Sequence, residues 1–129
     1  MAGSMSLQVI SREAGEDLSA KQYTFLVIAA DGQYESAAGT TAAIMGVSQN
    51  DPEAAGEGLT VGISGITKLT VDGNAGVIIA GDQLTSDANG KGIKTTTDTD
   101  FVGGIAEEGS TAAGDIIQVR ITPGAQVAG

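Results

Sequence analysis

Gln22-Tyr23-Thr24-Phe25-Leu26-Val27-Ile28 is the stretch that decides the fold. It lies in the longest glycine-free segment, Glu16 to Asp31, where a helix would form if one formed anywhere. Yet it is built from aromatic and β-branched residues, which lose rotamer freedom against a helical turn and pack well on a pleated sheet. A strand over Tyr23 to Ala29 follows, with at most a short helical turn at Asp17 to Ala20 before it.

Outward from this stretch the same chemistry continues. Ile and Val number 21 against 6 Leu, Thr adds 13 more, and 20 glycines interrupt the chain. Strands are predicted at Leu7 to Ser11, Gln33 to Ser36, Ile44 to Ser48, Leu59 to Ile63 and Lys68 to Val71, then at Gln83 to Thr85, Ile93 to Thr96, Val102 to Ala106 and Ile116 to Thr122. Between them Asp31-Gly32, Asp72-Gly73-Asn74 and Asp87-Ala88-Asn89-Gly90 supply residues that tolerate positive φ in tight turns. Many short strands joined by turns mean an all-β domain, a small compact barrel or sandwich. At 129 residues the chain suits one domain with its own core.

Sliding the chain over itself by 58 residues lays Ile44–Ile63 on Val102–Ile121 with 6 identities. Gly46 meets Gly104, Ala54-Ala55-Gly56 meets Ala112-Ala113-Gly114, Val61 meets Val119 and Ile63 meets Ile121. Chance would give roughly one or two in so Gly/Ala-rich a sequence. The expectation is an internal duplication, with halves at about residues 15–71 and 72–123 and Gly46, Gly56, Gly81, Gly104 and Gly114 as structural turn glycines.

Composition narrows function. The chain has no Cys and no His, which removes thiolate chemistry, zinc-thiolate sites and the commonest general base. A net charge of -10 repels nucleic acid and anionic lipid, and no apolar run is long enough to span a bilayer, so neither partner is expected. Met1-Ala2-Gly3-Ser4 resembles a cloning remnant, with the natural start at Met5.

The remaining candidates for chemistry have plainer readings. Asp98 with Asp100, or Glu107 with Glu108, are carboxylate pairs of the kind glycosidases use, but four aromatics in the whole chain leave little to stack a sugar. Asp87-Ala88-Asn89-Gly90 opens like a calcium loop, lacks the terminal bidentate Glu, and reads better as a hairpin turn. Ser64 with Lys68 has no elbow around it, and Gly56-Glu57-Gly58 lacks the third glycine of a dinucleotide loop. No catalytic residue, cofactor site or metal site is assigned, and the expectation is a protein that is not an enzyme.

The N-terminus carries a different signal. Leu7-Gln8-Val9-Ile10 is either the first strand of the barrel or an arm that adds its backbone to a partner's sheet edge. The residues alone leave both open.

The chain also resembles the phage capsid cement proteins, small decoration proteins long known as a domain of unknown function. The likeness runs from Leu18 to Pro123 on Leu18-Ser19-Ala20-Lys21-Gln22-Tyr23, Gly46-Val47, Gln49-Asn50, Pro52, Ala55-Gly56-Glu57 and Ser64-Gly65-Ile66-Thr67-Lys68. It continues on Ala80-Gly81-Asp82, Thr85-Ser86-Asp87-Ala88-Asn89-Gly90-Lys91, Gly104-Ile105-Ala106 and Gly114-Asp115-Ile116-Ile117. Ser48 and Glu107-Glu108 depart from it, standing where a more apolar stretch is expected. The resemblance implies a structural virion protein without catalytic residues, bound outside the expanded capsid as a homotrimer on the major capsid protein. It is similar in role to lambdoid head decoration proteins, which implies a clip-like β fold. Their N-terminal arms engage the capsid, and this tilts residues 1–14, with Leu7, Gln8, Val9 and Ile10, toward a flexible capsid-binding arm. A carbohydrate- or receptor-binding β module of a virion fibre is the alternative.

Overall fold

The computed structural model describes residues 6–41, 43–97 and 99–126, with backbone alone for the last four. Nine strands form, and no helix is present among the described residues: β1 (Gln8–Glu13), β2 (Phe25–Ile28), β3 (Tyr34–Ser36), β4 (Gly46–Ser48), β5 (Gly58–Asp72), β6 (Gln83–Ser86), β7 (Gly92–Lys94), β8 (Phe101–Ala106) and β9 (Ala113–Gln126). The strand read from Tyr23 to Ala29 is β2, two residues shorter at its start and one at its end. The two strands expected at Leu59–Ile63 and Lys68–Val71 are one continuous strand, because Gly65 at φ +94 lets β5 bend without ending.

That bend organises the molecule. The second half of β5 pairs with β9, β9 with β8, β8 with β6, β6 with β7, and β7 returns to β5, which closes a five-stranded barrel. The first half of β5 carries the extra strands: β1 on one side, then β4, β2 and β3 on the other. An isolated parallel bridge from Ala14 to Tyr34 turns these into a second ring. Each ring encloses apolar side chains. Leu69, Val71, Ile78, Leu84, Ile117 and Val119 fill the barrel, and Ala14, Leu18, Leu26, Tyr34, Leu59 and Val61 fill the other ring.

The two rings share one pairing plan. Leu26 opposes Gly46 as Leu84 opposes Gly104, Val27 opposes Glu35 as Thr85 opposes Ile93, and Ser48 opposes Val61 as Ala106 opposes Val119. Every one of these partners is displaced by the same 58 residues (26 to 84, 46 to 104, 61 to 119). β1 follows at 57: Ile10 opposite Val61 becomes Thr67 opposite Val119, and the parallel pair Ala14 with Tyr34 becomes Val71 with Gly92. Turn bonds repeat as well, Tyr23 N–H to Ser48 O at 2.8 Å and Gly81 N–H to Ala106 O at 2.7 Å. The correspondence is one of pairing and register, and β5, which runs to Asp72, belongs to both rings.

The residue carrying the largest local cost is Tyr23, at φ 60 the one non-glycine in the left-handed region among the described residues. Its counterpart 58 residues on is Gly81, at φ +95. Holding a side chain there costs about 1–2 kcal/mol, and the buried hydrogen bonds around the turn keep it in place.

Of the five turn glycines, Gly56 and Gly81 sit in turns with positive φ, Gly114 sits with positive φ at a bulge near the start of β9, and Gly46 and Gly104 lie inside β4 and β8. Their role is corrected to close approach: a Cβ at Gly46 would stand 2.5 Å from the Gly62 carbonyl oxygen, and one at Gly104 would stand 3.0 Å from that of Arg120. Gly56 and Gly114, at φ +88 and +84, face open space. Valine at either should thus cost backbone strain alone, about 1–2 kcal/mol. Melting temperatures of the two variants should fall by the same few degrees; markedly unequal falls would count against equivalent positions.

Candidate functional site

The N-terminal segment is seated, not free. Residues 8–13 run antiparallel to β5, Ile10 opposite Val61 and Glu13 opposite Gly58. Leu7 packs partly against the barrel core and Ile10 against the core of the other ring. The reading of residues 1–14 as a flexible arm is corrected accordingly for residues 8–14; Met1 to Met5 lie outside the described residues. Val9 nevertheless points outward and is 49% exposed. Apart from the single bridge at Ala14, the outer edge of β1 is unpaired among the described residues.

Between that edge and the β2–β3 hairpin lies a shallow cleft of about 400 Å³, lined by Ser11, Arg12, Glu13, Asp31, Gly32 and Gln33. The Gln33 amide reaches across it to Glu13 at 3.2 Å. Beside the cleft, Glu16 accepts the Ser36 N–H at 2.9 Å, and Asp17 accepts the Ser19 N–H at 2.9 Å. Bonds from the Ser19 hydroxyl and N–H hold the Asp17 carboxyl below the usual carboxylate range. The carboxylates here organise backbone turns.

The carboxylates singled out from sequence do likewise. Glu107 pairs with Arg120 at 3.2 Å, and Glu108 accepts the Gln118 N–H at 2.7 Å. The Asp87 carboxylate accepts the N–H groups of Asn89 at 2.8 Å and Lys91 at 3.0 Å, which is the hairpin reading of that stretch. Asp100 is buried and takes a hydrogen bond from the Thr95 hydroxyl, while Asp98 lies outside the described residues. Ser64 donates to Gln8 at 2.9 Å and makes no bond to Lys68, whose ammonium stands 5.9 Å from the Tyr23 ring centre. Among the described residues no group of three acidic, His or Cys side chains is placed to hold a metal ion. No helix there is long and apolar enough to cross a membrane.

Ser48, anomalous in sequence, is fully buried and satisfied. Its hydroxyl donates to the Lys21 carbonyl and accepts from the Thr24 N–H at 3.1 Å, tying β4 to the loop before β2. Sequence reasoning missed the exposed apolar residues Val77, Ile79 and Ile116, because a β-rich pattern does not say which Val or Ile faces outward at a loop or barrel end.

A family model described as phage cement protein matches residues 17–121. Among solved structures, the chain is similar to the head fiber gp8.5 N base of bacteriophage phi29, with a TM-score of 0.67 and 19% identity, over 91% of this chain and 95% of that one. No curated protein matches it in sequence.

Proposed function

Because the chain belongs to the phage cement protein family, we propose that it binds the outside of the expanded capsid and ties neighbouring major capsid protein subunits together. It is a phage structural protein associated with the virion, and the single observation behind the finer reading is the family match over residues 17–121. Packaged DNA pushes a shell outward, and a protein gripping two subunits adds contacts that must break before they part. A trimer would gain effective concentration for its second and third contacts, so each can be weak alone. A charge of -10 suits a surface remote from DNA.

We place one contact at Leu7, Gln8, Val9 and Ile10, used as the exposed edge of β1. An extended capsid segment lying along that edge would complete backbone bonds that β1 leaves open. Removing residues 1–11 should cost about 2 kcal/mol, since Leu7 and Ile10 bury part of their side chains. The remaining domain should stay folded and fail to co-sediment with expanded shells. Full occupancy by the truncated protein would sink the contact. The wider reading is tested by imaging shells with and without the protein, alongside its mass by light scattering: density over local three-fold positions supports it, and bare shells at saturating protein overturn it.

A second reading is a carbohydrate- or receptor-binding module of a virion fibre; the phi29 head fiber base shares its fold. Against it, Phe25 and Tyr34 are buried and Tyr23 and Phe101 half-buried, which leaves no open aromatic platform for a sugar. A glycan array would separate the two. We also propose that the two rings descend from one duplicated unit, which the shared register supports.

A further inference from the structure

In the barrel, Ile78 is an anchor: it is 1% exposed, and its backbone exchanges two hydrogen bonds with Ser110, each 2.9 Å. Leu18 holds the matching place in the other ring, fully buried, with its N–H bonded to the Pro52 carbonyl 58 residues before Ser110. The residues flanking the two anchors differ in kind. Beside Leu18 stand Asp17 and Ser19, both exposed and polar. Beside Ile78 stand Val77 and Ile79, exposed by 56% and 60%. Two of the five large apolar side chains that the described surface exposes thus flank the Ile78–Ser110 bridge, at positions where the other ring carries Asp and Ser.

The surroundings say what would cover them. Three acids stand at this end: Asp82 accepts the Ile79 N–H at 2.9 Å, Asp115 accepts the Ser110 hydroxyl at 2.8 Å, and Asp72 accepts the Asn74 N–H at 3.0 Å in the turn whose Gly73 lies against Ser110. Lys94 lies 3.7 Å from Asp82, while no ion pair forms at Asp72 or Asp115 among the described residues. Two copies meeting through this end would bring like charges together on a chain already at -10. A surface with an apolar spot framed by Lys and Arg would match both features.

We infer that Val77 and Ile79 form a second capsid-facing contact that takes an apolar, basic-rimmed protein surface. This rests on the cement reading, and it supplies what that reading needs. A bridging protein requires two separate contacts, and this one lies on the barrel while β1 lies on the other ring.

The test is a Val77→Asp/Ile79→Ser variant, which gives the barrel anchor the flanks that Leu18 already has, beside an Ile28→Ser control that alters another exposed residue. Exposed substitutions of this sort should leave the melting temperature within a few degrees. Expanded shells lacking the protein are titrated with each form at two salt concentrations, and each form is weighed by light scattering. We expect at least a tenfold loss of shell affinity for the double variant, an unchanged control, weaker wild-type binding at higher salt, and equal masses. Wild-type protein that does not bind shells overturns the cement reading itself. Wild-type binding matched within twofold by the double variant overturns this contact alone, and a fall in mass of the variant assigns the patch to copies of this chain and overturns the heterologous partner.

Discussion

Replacing Phe25 with alanine will lower stability by about 3–5 kcal/mol, the range for deleting a fully buried aromatic ring. Phe25 is fully buried, yet it starts β2, a strand of the first ring, and packs in the core of the barrel. Its ring lies against Gly103 of β8, where an added Cβ would come within 2.6 Å of it, and Ile44 closes the same space. Its N–H bonds to the Gly90 carbonyl and its carbonyl accepts the Ala37 N–H, so backbone and ring together join the two units. The equivalent residue 58 positions on, Gln83, is exposed, which makes the wedge a property of one ring only. Small domains carry about 5–15 kcal/mol in total, so this variant approaches the margin. Urea unfolding should show a large fall in midpoint with little change in slope. A loss below about 1 kcal/mol would mean that the ring does not couple the units.

Alanine at Gly65 is expected to be nearly as costly, about 3–4 kcal/mol, for two separable reasons. Its φ of +94 is a conformation L side chains adopt with strain of about 1–2 kcal/mol. A Cβ there would also stand 2.4 Å from the Ser6 carbonyl oxygen and 2.9 Å from the Leu7 Cα, and backbone of that kind yields only by moving the N-terminal strand. Amides of β1 should therefore lose hydrogen-exchange protection before those of β9 do. Uniform protection in both strands, with stability near the wild type, would show that β5 turns at Gly65 without help from glycine.

These two residues mark where sequence stops informing. The strand at Phe25 was legible because its neighbours are β-branched and aromatic, but nothing local says that its ring enters the core of a different unit. Gly65 stands between two predicted strands and reads as a break. Only long-range pairing, Gly65 opposite Ile121 on one flank and Val61 opposite Ile10 on the other, makes it a bend within one strand. The N-terminus shows the same limit. A short apolar stretch after a polar start fits an arm or an edge strand equally, and the outcome depends on whether β5 offers it a free edge.

By itself the sequence determined that the chain is all-β, where its turns fall, that two stretches 58 residues apart repeat, and that cysteine and histidine chemistry is absent. Those properties rest on local preferences and on composition, which act wherever the chain goes. Tertiary structure decided that β5 is shared between two rings, that Gly46 and Gly104 serve close strand approach, that β1 is docked, and that Val77, Ile79 and Ile116 face outward. Each of these depends on which distant backbone comes alongside, and no window of local sequence encodes that choice.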